Sequence, residues 1–140
     1  MFVKQLSVFM ENKPGRLYHL TKTLGDNGID LVTLSIADTK DFGIVRFIAR
    51  DNAKALEVLR KAGFTVGETE LIGIEVDDSA GALSRVLEIL EENNISIEYL
   101  YSFVLTSCKK AKILLRVENA AEALKILEKE NISLLSEKIL

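Results

Sequence analysis

Cysteine and histidine are nearly absent from this 140-residue chain, which has one of each, Cys108 and His19. A lone cysteine excludes an intrachain disulfide framework. No apolar run approaches the ~20 residues that a membrane-spanning helix needs, and the first residues lack the layout of a signal peptide. The net charge of −3, without a basic stripe, argues against a nucleic-acid surface. We therefore expect a cytoplasmic protein that binds neither nucleic acid nor membrane.

Patterns that carry catalysis or bind metals are also missing. The sequence has no Ser/His/Asp set, no phosphate-binding loop and no Rossmann glycine run. The adjacent Asp77 and Asp78 could suggest a metal, but neither a histidine nor a further carboxylate is placed near them in the sequence. His19 lies off the apolar stripe of its predicted helix and is expected to be solvated. We expect no catalytic residues, no metal and no cofactor.

An internal repeat is the main positive feature of the sequence. The stretch Glu11–Leu17 follows an apolar run and opens an amphipathic segment, and Asp77–Leu83 repeats this arrangement 66 residues later. The length alone would suggest a single domain, but an internal repeat is stronger evidence about the number of domains. We therefore expect two domains, residues 1–70 and 71–140.

Each copy shows the same order of periodicities. Leu6, Val8 and Met10 alternate with polar residues, as a strand with one buried face does. Leucines spaced three and four apart then mark a one-sided helix. In the first copy, the predicted helix ends at Asn27-Gly28, the second strand starts at Ile29, a turn at Asp38–Gly43 precedes the third strand at Ile44–Arg50, and a second helix at Ala53–Ala62 precedes a short last strand at Phe64–Val66. In the second copy, the corresponding features are a helix end at Asn93-Asn94, a second strand from Ile95, a turn at Thr106–Lys110, a third strand at Ala111–Val117, a second helix around Leu124 and Leu127, and a last strand at Ile132–Leu134.

Both copies therefore follow the order β-α-β-β-α-β, which is the ferredoxin-like arrangement. We expect an α+β protein made of two ferredoxin-like βαββαβ units in tandem. Each unit should have an antiparallel sheet with its helices on one face, and we expect the units to lie side by side. No linker rich in Gly, Ser or Pro separates the copies, because Glu68-Thr69-Glu70 runs directly into the next apolar run.

The sequence resembles the ACT family of amino-acid-binding regulatory domains. The resemblance rests on Asn12-Lys13-Pro14-Gly15-Arg16-Leu17 between a strand and a helix, and on Ile29-Asp30-Leu31 after a helix that ends at Gly28. The second half repeats it as Asp78-Ser79-Ala80-Gly81-Ala82-Leu83, without the proline. The resemblance implies that an amino acid binds at the junction of two domains, against the first strand–helix loop and the second strand of the neighbouring domain.

The first loop offers a concrete binding hypothesis. The amides of Gly15, Arg16 and Leu17 at a helix start would hold an α-carboxylate, because such amides carry a partial positive charge. The side chain of Asn12 would contact the ammonium or the carboxylate, and Pro14 suits the first helical turn. The alternative is that these residues only cap the helix, which requires the same residue types.

The second loop gives a weaker version of the same hypothesis. Asp78 would form a salt bridge to the ligand ammonium, beside a helix start at Gly81, Ala82 and Leu83. The alternative is again a helix cap, since a carboxylate is favoured at a helix start in any case. The acidic Asp78 stands where the first loop has Asn12, so the second site is expected to be altered or purely structural.

Three aromatic residues alternate in the second half. Tyr99, Tyr101 and Phe103 should share one face of a strand, and Leu100 and Val104 should take the other. One interpretation is that one of these sets packs beneath the helices. The preferred interpretation is that the aromatic face is buried by another chain or lines the ligand site. The reason is that a sheet with helices on one side is not expected to have both faces covered by its own chain.

These patterns predict a non-catalytic regulatory protein. The main hypothesis is an allosteric sensor that binds an amino acid at the junction between its ACT-like domains. The alternative is a protein-interaction module that acts as the regulatory subunit of an amino-acid biosynthetic enzyme. A homodimer is expected in either case, because a half-covered sheet favours a partner and twofold pairing is the commonest form of assembly.

Overall fold

The fold is described here from a computed structural model, which covers residues 1–38, 40–103 and 109–136. The chain divides into two compact units. Of the described residues, the first unit contains Lys4–Thr69, and the second contains Met1–Val3 together with residues 70–136. The predicted turn at Thr106–Lys110, with Cys108, and the position of Val104 fall largely or wholly outside the described residues.

The elements repeat the predicted order twice. The first half consists of β1 (Val3–Glu11), α1 (Arg16–Asp26), β2 (Leu31–Asp38), β3 (Phe42–Ala49), α2 (Asn52–Lys61) and the start of β4 (Thr65–Asp77). The second half consists of the rest of β4, α3 (Ala82–Glu92), β5 (Ile97–Phe103), β6 (Lys110–Val117), α4 (Ala120–Lys129) and β7 (Ser133–Leu134). The described pairings within each unit are antiparallel, and the predicted α+β, ferredoxin-like fold is confirmed.

One boundary differs from the expectation. The predicted short strand Phe64–Val66, apart from Phe64, and the apolar run that follows Glu70 form one continuous strand, β4, of 13 residues. The physical reason is that Glu68-Thr69-Glu70 contains no glycine, proline or turn pair that would stop an extended chain. Side chains in this stretch simply alternate across the strand.

Matching registers build the same sheet in both units. In the first unit β3 lies between β1 and β2, and Phe47 is paired with Leu6 on one side and with Leu34 on the other. In the second unit β6 lies between β4 and β5, and Ile113 is paired with Ile74 and Ser102. The repeat seen in the sequence is therefore a repeat of strand pairing as well.

Each unit has its own apolar core beneath its helices, as the periodicity predicted. Leu20 and Leu24 of α1 are buried against Leu6 and Val8 of β1, and the equivalent residues of the second unit form a matching cluster. Leu17 is the exception, because its side chain is 36% exposed. It lies in the first turn of α1, beside the loop, and not over the middle of the sheet.

The helix-free face of the second sheet is more covered than expected. Leu71 and Leu114 are fully buried on it, and the side chain of Lys112 is only 4% exposed. Val3 and Leu135 lie directly against Gly73 on the same sheet. The expectation that one chain could not cover both faces was therefore wrong for this unit.

The three aromatic residues lie on this helix-free face. Tyr101 is paired with Leu114, whereas Leu100 is paired with Leu115, which belongs to the core beneath the helices. Phe103 is buried within the chain, and Tyr99 and Tyr101 are half-buried. The helix-covered side of β5 therefore carries Leu100, and it is not the aromatic set that faces the helices. Burial of the tyrosines by another chain stays a prediction.

Candidate functional site

A tight turn connects β1 to α1 in the first unit. The amide of Arg16 donates to the carbonyl of Lys13 at 3.3 Å, which closes a four-residue turn. Gly15 has φ 84° and ψ −10°, the conformation of the third residue of a type II turn. Pro14 occupies the second position, where its fixed φ is favoured. The Pro-Gly pair therefore forms the centre of a type II turn, and α1 begins at the last residue of that turn.

This turn also stands in place of the side-chain helix cap that was the alternative role for Asn12. Gly15 is the N-cap residue, and no side chain caps the helix. The backbone amide of Asn12 donates to the carbonyl of Asp41 at 3.0 Å, which ties the loop to the start of β3. Asn12 is therefore held outside the helix, and its side chain is not used as a cap.

The turn also decides which amides remain available. The amide of Arg16 is occupied within the turn, in contrast to the expectation that it would bind a ligand. His19 makes the first helical bond, to the carbonyl of Gly15 at 2.9 Å. Within the described part of the chain, the amides of Leu17 and Tyr18 have no acceptor. These two amides form the positive end of α1.

A cavity of about 140 Å³ opens beside this loop. Of the predicted binding residues, Asn12, Arg16 and Leu17 line it, whereas Pro14 and Gly15 shape the turn without lining it. The other lining residues come from the loop and from three strands of the first unit: Met10, Glu11, Lys13, Ile36, Gly43 and Val45. The cavity therefore includes the second strand of the loop's own unit.

The contribution of β2 and β3 was missed in the sequence, although a signal was present. Ile36 is paired with Val45, so both side chains point to the helix-covered face of the sheet. Leu34 and Ile36 are two residues apart in a strand, so their side chains share a face of the sheet. This spacing would have placed Ile36 on the helix-covered face, at the end of β2 nearest the loop. Nothing in the spacing alone indicates that its side chain would remain 44% exposed there.

Charges of both signs surround the mouth of the cavity. The Lys13 ammonium lies 2.7 Å from the Glu11 carboxylate, and the Arg16 guanidinium lies 4.0 Å from the same group. The hydrogen bond and charge of Lys13, with a smaller effect of Arg16, lower the pKa of Glu11. The loop therefore presents one carboxylate and two cations to a ligand.

We expect Lys13→Met to raise the pKa of Glu11 toward its ordinary value, because the hydrogen bond and most of the favourable charge would be lost. A carboxylate with a depressed pKa stabilises the fold above its unfolded-state pKa, and that contribution disappears as pH falls through the folded-state pKa. NMR titration of the Glu11 side chain measures this shift. An unchanged midpoint in Lys13→Met would show that Lys13 is not the cause.

The second unit repeats the backbone of this loop closely. Gly81 has φ 84° and ψ −7°, and the amide of Ala82 donates to the carbonyl of Ser79 at 3.2 Å. The amide of Asp78 donates to the carbonyl of Lys109 at 3.2 Å, as Asn12 does to Asp41. The type II turn therefore forms without proline, since only glycine fits its third position readily.

The charges of the second loop are different. Ser79 and Ala82 stand where the first loop has Lys13 and Arg16, and Asp77 and Asp78 are its ionisable groups. Of the predicted site residues, Ala82 lines a cavity of about 290 Å³, together with Arg85 and the turn before β7. Its lining does not include Asp78, Gly81, Leu83, Tyr99 or Tyr101.

The described residues around the two loops do not meet the requirements of a metal site. Among the described residues, no group of three or more His, Cys, Asp and Glu side chains could hold a metal ion. His19 is exposed, and its ring lies 5.2 Å from that of Phe64. None of the described helices is long and apolar enough to span a membrane.

Comparison with known proteins identifies the family. A family model described as an ACT domain pair matches residues 1–140. The chain belongs to the ACT domain pair family. A search of curated proteins found no match.

Solved structures agree with this family. A protein from Bacteroides thetaiotaomicron is 38% identical, with a TM-score of 0.91 over 98% of this ACT pair and 94% of that chain. The ligand-free regulatory subunit of aspartate kinase from Thermus thermophilus shares the fold at 14% identity, with a TM-score of 0.62 over 90% and 91% of the two chains. The regulatory subunit of aspartate kinase from Thermus flavus is equally similar, with 14% identity and a TM-score of 0.61 over 90% of each chain.

Proposed function

We propose that this ACT domain pair is a non-catalytic, cytoplasmic regulatory protein that binds a free amino acid allosterically. The observation that carries the proposal is the cavity of the first unit, where unpaired helix amides lie beside charges of both signs. Two proteins of the same fold are regulatory subunits of aspartate kinase, which supports a regulatory role.

The groups around the cavity complement a zwitterion. The amide of Leu17 and the guanidinium of Arg16, which both belong to lining residues, would bind an α-carboxylate, because each donates a hydrogen bond from a positive centre. The unpaired amide of Tyr18 adds to the positive end of the same helix. The carboxylate of Glu11 and the side-chain oxygen of Asn12 would accept from an α-ammonium. The cavity of about 140 Å³ is well below the roughly 300–1,000 Å³ of sites for drug-sized ligands, which favours a small molecule.

The proposal assigns one binding site to each chain. The first loop carries one acid and two bases, whereas the second carries two acids and no base. Free amides alone provide only a fraction of a positive charge, so two adjacent carboxylates oppose the approach of a third. Arg85 and Lys110 also line the cavity beside this loop, but they come from α3 and β6, and Lys110 is paired with Glu75 at 3.4 Å. The second loop is therefore assigned a structural role, with its backbone retained and no cation of its own.

Isothermal titration calorimetry with each of the common amino acids tests this function. We expect one amino acid, or one chemical group of amino acids, to bind saturably with a stoichiometry of one per chain. Circular dichroism on the same samples would show that the protein is folded. If the protein is folded and none of the amino acids gives a binding heat, the proposed function is wrong.

A second candidate function is a regulatory subunit that docks on an amino-acid biosynthetic enzyme, as a homodimer. The observation that favours it is a pair of exposed aromatic rings on the helix-free face of the first sheet. Phe9 is 54% exposed, Phe42 is 48% exposed, and their ring centroids lie 5.9 Å apart. Exposed apolar side chains grouped in this way are typical of interaction surfaces.

Affinity purification from native extract, followed by mass spectrometry, tests the second candidate. We expect a biosynthetic enzyme to be retained by the wild type and lost in Phe9→Ser/Phe42→Ser. The matched control is Tyr18→Ser, because Tyr18 is 68% exposed but lies on α1, away from the paired rings. Retention of the same enzyme by the Phe9→Ser/Phe42→Ser variant would exclude this surface.

A further inference from the structure

The inner wall of the first cavity is made of aliphatic side chains. This wall is formed by Met10, Leu17, Ile36 and Val45, together with Gly43. All but Leu17, which follows Arg16 in the first turn of α1, belong to strands β1, β2 and β3. We infer that the amino acid bound there has an aliphatic side chain of about the size of valine or leucine. This inference rests on the proposed function, since it concerns the same site, and it names the class of ligand.

The wall is continuous with the apolar core of the first unit. Val45 is 1% exposed and belongs to that core, and Met10 packs against it. Leu17 and Ile36 remain 36% and 44% exposed at the edge of the cavity. A ligand side chain placed between them would remove apolar surface from water on both partners, which is the main source of affinity for such groups.

The position of the charges excludes other classes of side chain. All charged residues that line the cavity, Glu11, Lys13 and Arg16, belong to the loop, where they face the zwitterionic end of the ligand. The lining residues from β2 and β3 carry no ionisable or hydroxyl group. An acidic or basic ligand side chain placed against the β2 and β3 residues would therefore lose its hydration without gaining a partner on that side.

Matched ligand pairs give the sharpest test. Valine and threonine have nearly the same shape, but threonine has a hydroxyl in place of a methyl group, so we expect valine to bind more tightly. Affinity should rise from alanine to valine to leucine by roughly fourfold for each added methylene, as expected for apolar burial. Titration calorimetry of the wild-type protein with these ligands, and with aspartate, lysine and phenylalanine, measures the order.

A variant of the wall then tests which side chain sets the preference. Ile36→Ala should weaken leucine binding by roughly tenfold, because part of the apolar contact is removed, while alanine binding changes less than about twofold. The matched control is Leu100→Ala, since Leu100 is 38% exposed on β5, the repeat equivalent of β2, and does not line this cavity. Thermal unfolding of both variants would confirm that they are folded.

The outcomes separate the inference from the function on which it rests. Preference for an acidic, basic or aromatic amino acid would overturn the inference and leave the proposed function standing. An equal loss of leucine affinity in Ile36→Ala and Leu100→Ala would also overturn it, because the effect would not come from the wall. If no amino acid binds to the folded protein, both the inference and the proposed function fail.

Discussion

Replacing both cations of the first loop, in Lys13→Glu/Arg16→Glu, should reduce amino-acid affinity by at least about a hundredfold. Each substitution removes an attraction for the α-carboxylate and introduces a repulsion, and each such interaction is worth about 1 kcal/mol at 4 Å in water. The fold should survive, because each of the two side chains is at least half exposed and surface ion pairs contribute little. Titration calorimetry and thermal unfolding measure the two effects separately.

The second loop offers a matched control for this experiment. Ser79→Glu/Ala82→Glu places the same two charges at the equivalent positions of the repeat, on the same type II backbone. We expect no change in affinity or stoichiometry, because the second loop is assigned no binding site. A comparable loss of affinity in this variant would show that the assignment of one site per chain is wrong.

The Gly73→Ala substitution should lower the free energy of unfolding by about 1–3 kcal/mol, which is the usual cost of overpacking. A Cβ atom at this position would lie 2.9 Å from the Cβ of Leu135 and 3.1 Å from Cγ2 of Val3. The nearest atom is fixed to the backbone of its own residue and cannot rotate away. For a chain of this length, the melting temperature should fall by roughly 2–4 °C for each kcal/mol.

A second glycine of the same strand provides the comparison. Gly67 also lies in β4, and a Cβ atom added there would have no neighbour within 4 Å. We expect Gly67→Ala to be neutral or to stabilise by up to about 1 kcal/mol, because alanine restricts the unfolded chain without a clash. Thermal and urea unfolding measure the stability of Gly73→Ala and Gly67→Ala. An equal loss of unfolding free energy in both variants would contradict the packing argument.

Repetition made most of the fold predictable from the sequence. Leu20 and Leu24 are buried as their spacing predicted, and the same spacing places Val86 and Leu90 inward in the second unit. Asn94, with φ 55°, adopts the left-handed conformation expected after a helix end. A pattern that occurs at the same position in both copies is a stronger indication than one that occurs once. For these elements, the local rules about periodicity and helix ends were therefore sufficient.

The start of α1 shows where local rules were insufficient. A sequence such as Asn12-Lys13-Pro14-Gly15 satisfies both a helix cap and a type II turn, and periodicity does not distinguish between them. The turn forms because Gly15 can adopt φ 84° at little cost, which moves the helix start to Arg16. The choice of free amides, and hence the details of the site, depends on which of these two local conformations forms.

The second sheet contained a signal that was not used. The runs Leu71-Ile72-Gly73-Ile74 and Ile113-Leu114-Leu115 are apolar at successive positions, which indicates a strand buried on both faces. The alternating residues Ile72 and Ile74 indicate only the face beneath the helices, whereas Leu71 and Leu114 belong to the other face. The burial of Lys112 on that second face has no comparable signal, because lysine is almost always exposed.

The uninterrupted course of β4 has a practical consequence. The division between the two units falls after Thr69, which is inside this 13-residue strand. Proteases cut most readily in exposed, mobile loops, and an extended strand is a poor substrate. Limited digestion is therefore unsuited to preparing the two repeats as separate fragments, and a gene cut at this position would leave each fragment with half of a strand.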